Sequence, residues 1–113
     1  MSCDDTIRLL YTTWPDEAGP HAAAATLLSE KLIVCANILG PSTSIYRWEG
    51  EVQTEREIVA LFKTSAASAA RTCARLTELH PYDEPCIVAL PVDRAGSAPG
   101  FLDWVADETG ERP

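Results

Sequence analysis

His80-Pro81-Tyr82-Asp83-Glu84-Pro85 is the one compact stretch that offers an imidazole and two carboxylates within five positions. Imidazole together with carboxylate suits a borderline divalent metal, Cu(II) above all, so His80, Asp83 and Glu84 are candidate ligands, with water completing the shell. The same histidine ends a helical pattern, where a cation would favour the helix dipole, and that structural role stays open beside the metal one. A second stretch, Ser44-Ile45-Tyr46-Arg47-Trp48-Glu49-Gly50-Glu51, alternates large side chains up to Glu49-Gly50, the pattern of a β-hairpin turning at glycine. Its two aromatics, beside Arg47 and Glu49, present a surface for a ligand or a neighbouring subunit, or simply pack across the hairpin.

Other chemistries find little support. Cys3, Cys35, Cys73 and Cys86 are far apart in sequence with no C-x-x-C pair, which excludes zinc-ribbon and thioredoxin-like patterns and leaves four reduced thiols as the expectation. Cys35, Cys73 and Cys86 sit in apolar runs, so buried, unreactive thiols are expected, and no cysteine–histidine hydrolase site or oxyanion hole is visible. The first strand carries no M-x-C-x-x-C copper-chaperone motif, and the third offers only Phe62 where an RNA-recognition sheet needs aromatics. A net charge of -8, from nine basic and seventeen acidic residues, argues against nucleic acid and anionic membrane surfaces, which need clustered Lys and Arg. No apolar run approaches the ~20 residues that cross a bilayer. The acidic start Met1-Ser2-Cys3-Asp4-Asp5 lacks the basic region of a signal peptide, so a cytoplasmic location is expected.

These candidate groups must be positioned by a single domain over residues 1–113, with flexible tails at 1–6 and 110–113. Residues 7–12 read as a strand stopped at Trp14-Pro15. A helix over residues 20–32 follows, its stripe formed by Ala24, Leu27, Leu28 and Leu32. Residues 34–39 and 43–48 read as strand with a bulge or bend at Gly40-Pro41, and the hairpin returns through Val52 and residues 58–63. The run 58–62 is apolar on both strand faces, so a second cover is needed beyond one helix layer, and another subunit supplies it most simply. Thr64-Ser65 can cap a helix that ends at His80-Pro81. A strand over residues 86–90 and a short terminal helix with Phe101, Trp104 and Val105 on one face complete the chain. The order β-α-β-β-α-β gives an α+β, ferredoxin-like sandwich with a short C-terminal helix.

The motifs Thr12-Thr13-x-Pro15-Asp16-Glu17, Leu32-x-x-Cys35-x-Asn37-Ile38, Ser44-Ile45-Tyr46-Arg47-Trp48-Glu49-Gly50, Lys63-Thr64, His80-Pro81-Tyr82-x-x-Pro85 and Leu102-x-Trp104 occur in one order along nearly the whole chain. Together they resemble the CutA divalent-cation-tolerance family. The resemblance implies a non-enzymatic homotrimer with PII-like architecture, edge strands pairing between subunits, and an association with tolerance to copper and other divalent metals. It points to an inter-subunit cleft near Tyr46, Trp48, Glu49, Lys63 and His80. One departure stands out: copper-binding members resemble one another in a cysteine ending the first strand and two adjacent histidines before Pro-Tyr, and this chain has Tyr11, Leu79 and His80 there. Two alternatives remain: a PII-like sensor that takes a small organic ligand or anion beside Lys63 and Arg47, and a trimer that scaffolds a protein partner.

Overall fold

A computed structural model describes residues 7–109; the expected tails and Cys3 lie outside them. The elements run β1 (Ile7–Trp14), α1 (Ala18–Ser29), β2 (Cys35–Trp48), β3 (Glu51–Ser65), α2 (Ala69–Leu79), β4 (Ile87–Pro91) and α3 (Pro99–Glu108). The four strands form one antiparallel sheet in the order β2-β3-β1-β4. This is the ferredoxin-like α+β arrangement with the short C-terminal helix expected from the order of elements in the sequence.

Side chains alternate across the sheet, and the register assigns each to a face. Leu10 pairs with Phe62, Thr12 with Ala60 and Trp14 with Ile58. Leu10, Trp14, Ile58, Ala60 and Phe62 form the main core with Ala23 and Leu27 of α1 and Leu76 of α2, and Thr12 is buried on the same face. On the opposite face lie Val59 and Leu61, and here the expected cover proves divided. α3 closes one end of the molecule through a second cluster of Ile7, Val34, Leu102, Val105 and Ala106. Leu61 stays half-buried, and Leu39, Val88 and Leu90 are exposed. The chain thus supplies part of the second cover itself and leaves the remainder of that face open.

Several boundaries differ from the sequence reading for identifiable reasons. α1 stops at Ser29 rather than Leu32 because Lys31 turns left-handed, with φ of 61°. The Lys31 amide then donates to the Leu28 carbonyl and the Leu32 amide to that of Leu27, a closed C-terminal hydrogen-bond pair made without glycine. Leu28, expected in the buried stripe, is exposed, and Pro20, Ala23 and Leu27 form that stripe. Thr64 and Ser65 finish β3 instead of starting α2, since they pair with Arg8 and Ile7. The Ser65 hydroxyl accepts the Ser68 amide at 3.3 Å, so the helix start is served from one turn upstream. In α3, Phe101 and Trp104 face outward, with ring centroids 5.6 Å apart, while Leu102, Val105 and Ala106 are buried. The expectation of buried thiols does not hold: Cys35 and Cys73 are half-buried and Cys86 is exposed, although all three are free.

The bulge at Gly40-Pro41 is present as a register shift between Ile38 and Pro41. Beyond it, β2 and β3 continue as a long two-stranded arm to the turn at Glu49-Gly50, with φ of 51° and 82°. Positive φ at both turn residues matches the right-handed twist of the strands, and glycine takes it without strain. The polar run Gln53-Thr54-Glu55-Arg56-Glu57 lies inside β3. Ile45, Trp48 and Val52 on the arm are exposed, and the described residues extend 47 Å along their longest axis.

Candidate functional site

Trp14 ends β1 fully buried, with its ring 6.4 Å from Phe62. Its indole Nε1 donates to Thr12 Oγ1 at 2.6 Å, and that hydroxyl donates to the Ala60 carbonyl at 2.8 Å. Gly19 lets α1 begin directly over this indole: a Cβ there would lie 2.9 Å from Trp14 Cε3. From the other side α2 delivers His80, the residue at which the backbone leaves the helix, with ψ of 142°. The imidazole stacks on Trp14 with centroids 4.1 Å apart and planes 28° apart.

Both ring nitrogens of His80 are engaged. Nδ1 accepts the Tyr82 backbone N–H at 3.1 Å, and Nε2 lies 2.8 Å from the Thr13 carbonyl. An accepting Nδ1 places the proton on Nε2, which donates to Thr13 and fixes one neutral tautomer. The loop then turns Tyr82 towards the arm. Its ring sits 4.9 Å from that of His80 and its hydroxyl donates to Glu57 Oε2 at 3.2 Å. Burial, and after it the Glu57 charge, push the Tyr82 phenol up to about 12. Along the arm Tyr46 is held above the usual tyrosine range, first by its hydrogen bond to Glu55. The neutral Tyr82 phenol therefore donates to an arm carboxylate.

An open cleft of about 270 Å³ adjoins this assembly. Pro15, Pro41 and Ile58 provide its apolar walls, and Asp16, Glu17, Arg56 and Glu57 its charge. Glu57 is 9% exposed, although the run Glu55-Arg56-Glu57 carries no sign of burial in the sequence.

The expected site residues scatter. His80 is buried, whereas Asp83 and Glu84 are exposed on the following loop. Among the described residues no group of three or more His, Cys, Asp or Glu is placed to hold a metal ion. While His80 keeps its place, neither nitrogen has a lone pair free for Cu(II), so the structure does not gather His80, Asp83 and Glu84 into a ligand set. Tyr46, Trp48 and Glu49 lie at the arm tip, where Trp48 pairs with Glu51. Lys63 sits twelve residues further along β3, about 40 Å away at the rise of a strand. There its Nζ donates to Asn37 Oδ1 at 2.6 Å and stands 5.5 Å from the Phe101 ring centre. Tyr11 and Leu79 are both half-buried, and Leu79 packs on the main core.

The CutA1 divalent ion tolerance protein family model matches residues 8–108. The divalent-cation tolerance protein CutA of Thermus thermophilus is 40% identical over 102 residues, which cover 90% of this chain and 97% of that protein. The solved divalent cation tolerance protein (Cut A1) from Thermus thermophilus superposes with a TM-score of 0.85 at 38% identity, covering 92% of this chain and 99% of its own. The periplasmic divalent cation tolerance protein CutA from Archaeoglobus fulgidus superposes with a TM-score of 0.83 at 34% identity, over 91% of this chain and 97% of its own.

Proposed function

The chain belongs to the CutA1 divalent ion tolerance family, and from that premise we propose that it serves tolerance to divalent cations as a non-enzymatic homotrimer. One observation carries the assembly. The β3 partners of Tyr46 and Trp48, Gln53 and Glu51, lie ten and twelve residues from Lys63, about 33–40 Å at the rise of a strand, so a cleft holding these residues together needs the arm of one subunit beside the sheet of the next. The exposed Ile45, Trp48 and Val52 on the arm, and the exposed Leu39, Val88 and Leu90 on the sheet, supply the apolar area that such a contact would bury.

The proposal routes tolerance through that shared surface and not through His80, whose ring nitrogens are already spent. A reducing, cytoplasmic compartment belongs to the same proposal; the free thiols Cys35, Cys73 and Cys86 support it. No helix among the described residues is long and apolar enough to cross a membrane. The test is growth on elevated Cu(II) of cells lacking the gene. Restoration by the unmodified chain, and none by an equally abundant Leu61→Glu variant that has lost its assembly, is the expected result. Equal restoration by a monomeric variant would overturn the assembly-dependent reading.

A further inference from the structure

The arm leaves the body of the sheet at one level, and a single side-chain bond crosses from body to arm there. We infer that this bond, from the Tyr82 hydroxyl to Glu57, is a latch that sets the direction of the arm, and that opening it lets the arm flex about the Gly40-Pro41 bulge. The inference rests on the arm-mediated assembly proposed above, because its consequence is an arm held ready for the next subunit.

Two interruptions coincide at Ile58. β1 makes its last pair there, Trp14 with Ile58, so from Glu57 outward β3 has lost its neighbour on that side. β2 regains its register at the same level, Pro41 with Ile58, after Leu39 and Gly40 together oppose the single Val59. Such a bulge bends the strand and breaks the ladder, and Pro41 has no N–H with which to restore it. A Cβ on Gly40 would meet nothing within 4 Å, so no packing stiffens the bend. The cleft lined by Pro15, Asp16 and Glu17 together with Pro41 and Arg56 leaves open space beside the arm base. Beyond it, a two-stranded ribbon with no buried side chain between residues 43 and 56 has nothing of its own to fix its direction.

Tyr82 supplies what the ribbon lacks. Among the described residues, its bond to Glu57 Oε2 at 3.2 Å is the one side-chain hydrogen bond between residues 42–57 and the rest of the chain. Glu57 is buried where its neighbours Glu55 and Arg56 are exposed, so the body closes over the arm at this residue alone. The anchor is stiff. The Tyr82 amide is bonded to His80 Nδ1 and its ring lies 4.9 Å from the imidazole, which is stacked on Trp14 and bonded to the Thr13 carbonyl. Trp14 is also the partner of Ile58, so latch and hinge are tied to the same residue. An arm held in one direction is preorganised for docking. If only a fraction of arms point correctly, the apparent dissociation constant of the assembly rises by the inverse of that fraction.

Three substitutions in the intact protein test the latch. Tyr82→Phe keeps the ring beside His80 and removes the hydroxyl. Glu57→Met removes both acceptor oxygens at similar volume, and Glu57→Gln retains one. Amide hydrogen exchange reads the arm, and native mass spectrometry of mixed light and heavy protein reads the trading of subunits. In Tyr82→Phe and Glu57→Met, amides of residues 43–56 should exchange roughly tenfold faster and subunits should trade faster, with β1 amides unchanged. Glu57→Gln should stay close to the unmodified protein. Unchanged arm exchange in folded Tyr82→Phe, equal acceleration by Glu57→Gln and Glu57→Met, or acceleration shared by β1 would each overturn the latch. A monomer mass for the unmodified protein would remove the assembly while arm exchange still judged the latch, so the two readings fail separately.

Discussion

His80 lies flat on Trp14 while its Nε2 bonds the carbonyl of Thr13, the residue immediately before that tryptophan. One imidazole thus holds both the ring and the backbone at the end of β1. The same imidazole takes the Tyr82 amide on its other nitrogen, and through Tyr82 it orients the hydroxyl that meets Glu57. A histidine that looked like a metal ligand in the sequence is in the structure a four-way joint between β1, α2, the Pro81 loop and the arm.

Replacing that joint should be expensive. His80→Ala leaves the Thr13 carbonyl and Tyr82 amide without their partner and removes a stacked pair, so a loss of about 2–4 kcal/mol in unfolding free energy is expected. Denaturant titration measures it. Calorimetry with Cu(II) under native conditions should give the same isotherm for the unmodified protein and the variant, because the ring is already bonded at both nitrogens. Abolished binding in the folded variant would show that the ring swings out to meet the metal.

Thr12→Val tests the support beneath Trp14. The substitution keeps the shape but removes the oxygen that accepts from Trp14 and donates to Ala60. A buried indole N–H is left unpaired, at about 1–3 kcal/mol. Thermal unfolding should show the loss, and a melting temperature equal to that of the unmodified protein would contradict this account.

The phenol of Tyr82 sets an alkaline limit. Its value in the folded protein is raised from 10.0 to about 12, by burial first and then by the Glu57 charge. The native state therefore favours the neutral form. This contribution is complete below pH 10 and is lost as pH climbs through about 12. Absorbance of tyrosinate should reveal one late-titrating phenol, and Tyr82→Phe should remove it.

Assembly is tested directly by mass. Light scattering at micromolar concentration should give three chains per particle for the unmodified protein. Leu61→Glu places a charge on the half-buried face between Tyr11 and Asn37, and it should dissociate or unfold the particle. A monomer mass for the unmodified protein would end the trimer proposal.

The fold was legible because its signals are local and periodic. The apolar strands, the Glu49-Gly50 turn and the Gly40-Pro41 irregularity all appear where pattern and turn chemistry put them. Helix ends were less readable, since Lys31 closes α1 in a conformation that the sequence normally advertises with glycine. The full extent of β3 was hidden because Gln53 to Glu57 are polar, and only pairing with β2 makes them strand. The candidate site was legible in part. His80 stood out in the sequence, but the bonds that occupy it come from Thr13 and the Tyr82 amide, and backbone groups leave no trace in residue types. Glu57 was missed for a related reason: its burial depends on Tyr82, twenty-five residues away.

The arm that β2 and β3 build beyond the bulge has a consequence for how stability is distributed along the chain. Between residues 43 and 56 no side chain is buried, and the ladder between the two strands is what keeps them ordered. Backbone amides of β1, locked between two neighbours and beneath a core, can exchange with solvent only when the whole domain opens. Amides at the arm tip need only a local fraying of the hairpin, a far smaller excursion. In a single chain, one continuous sheet would therefore exchange in two regimes, a slow body and a quick extremity divided at Pro41, where the register slips, and docking of the arm on a neighbouring subunit would slow the second.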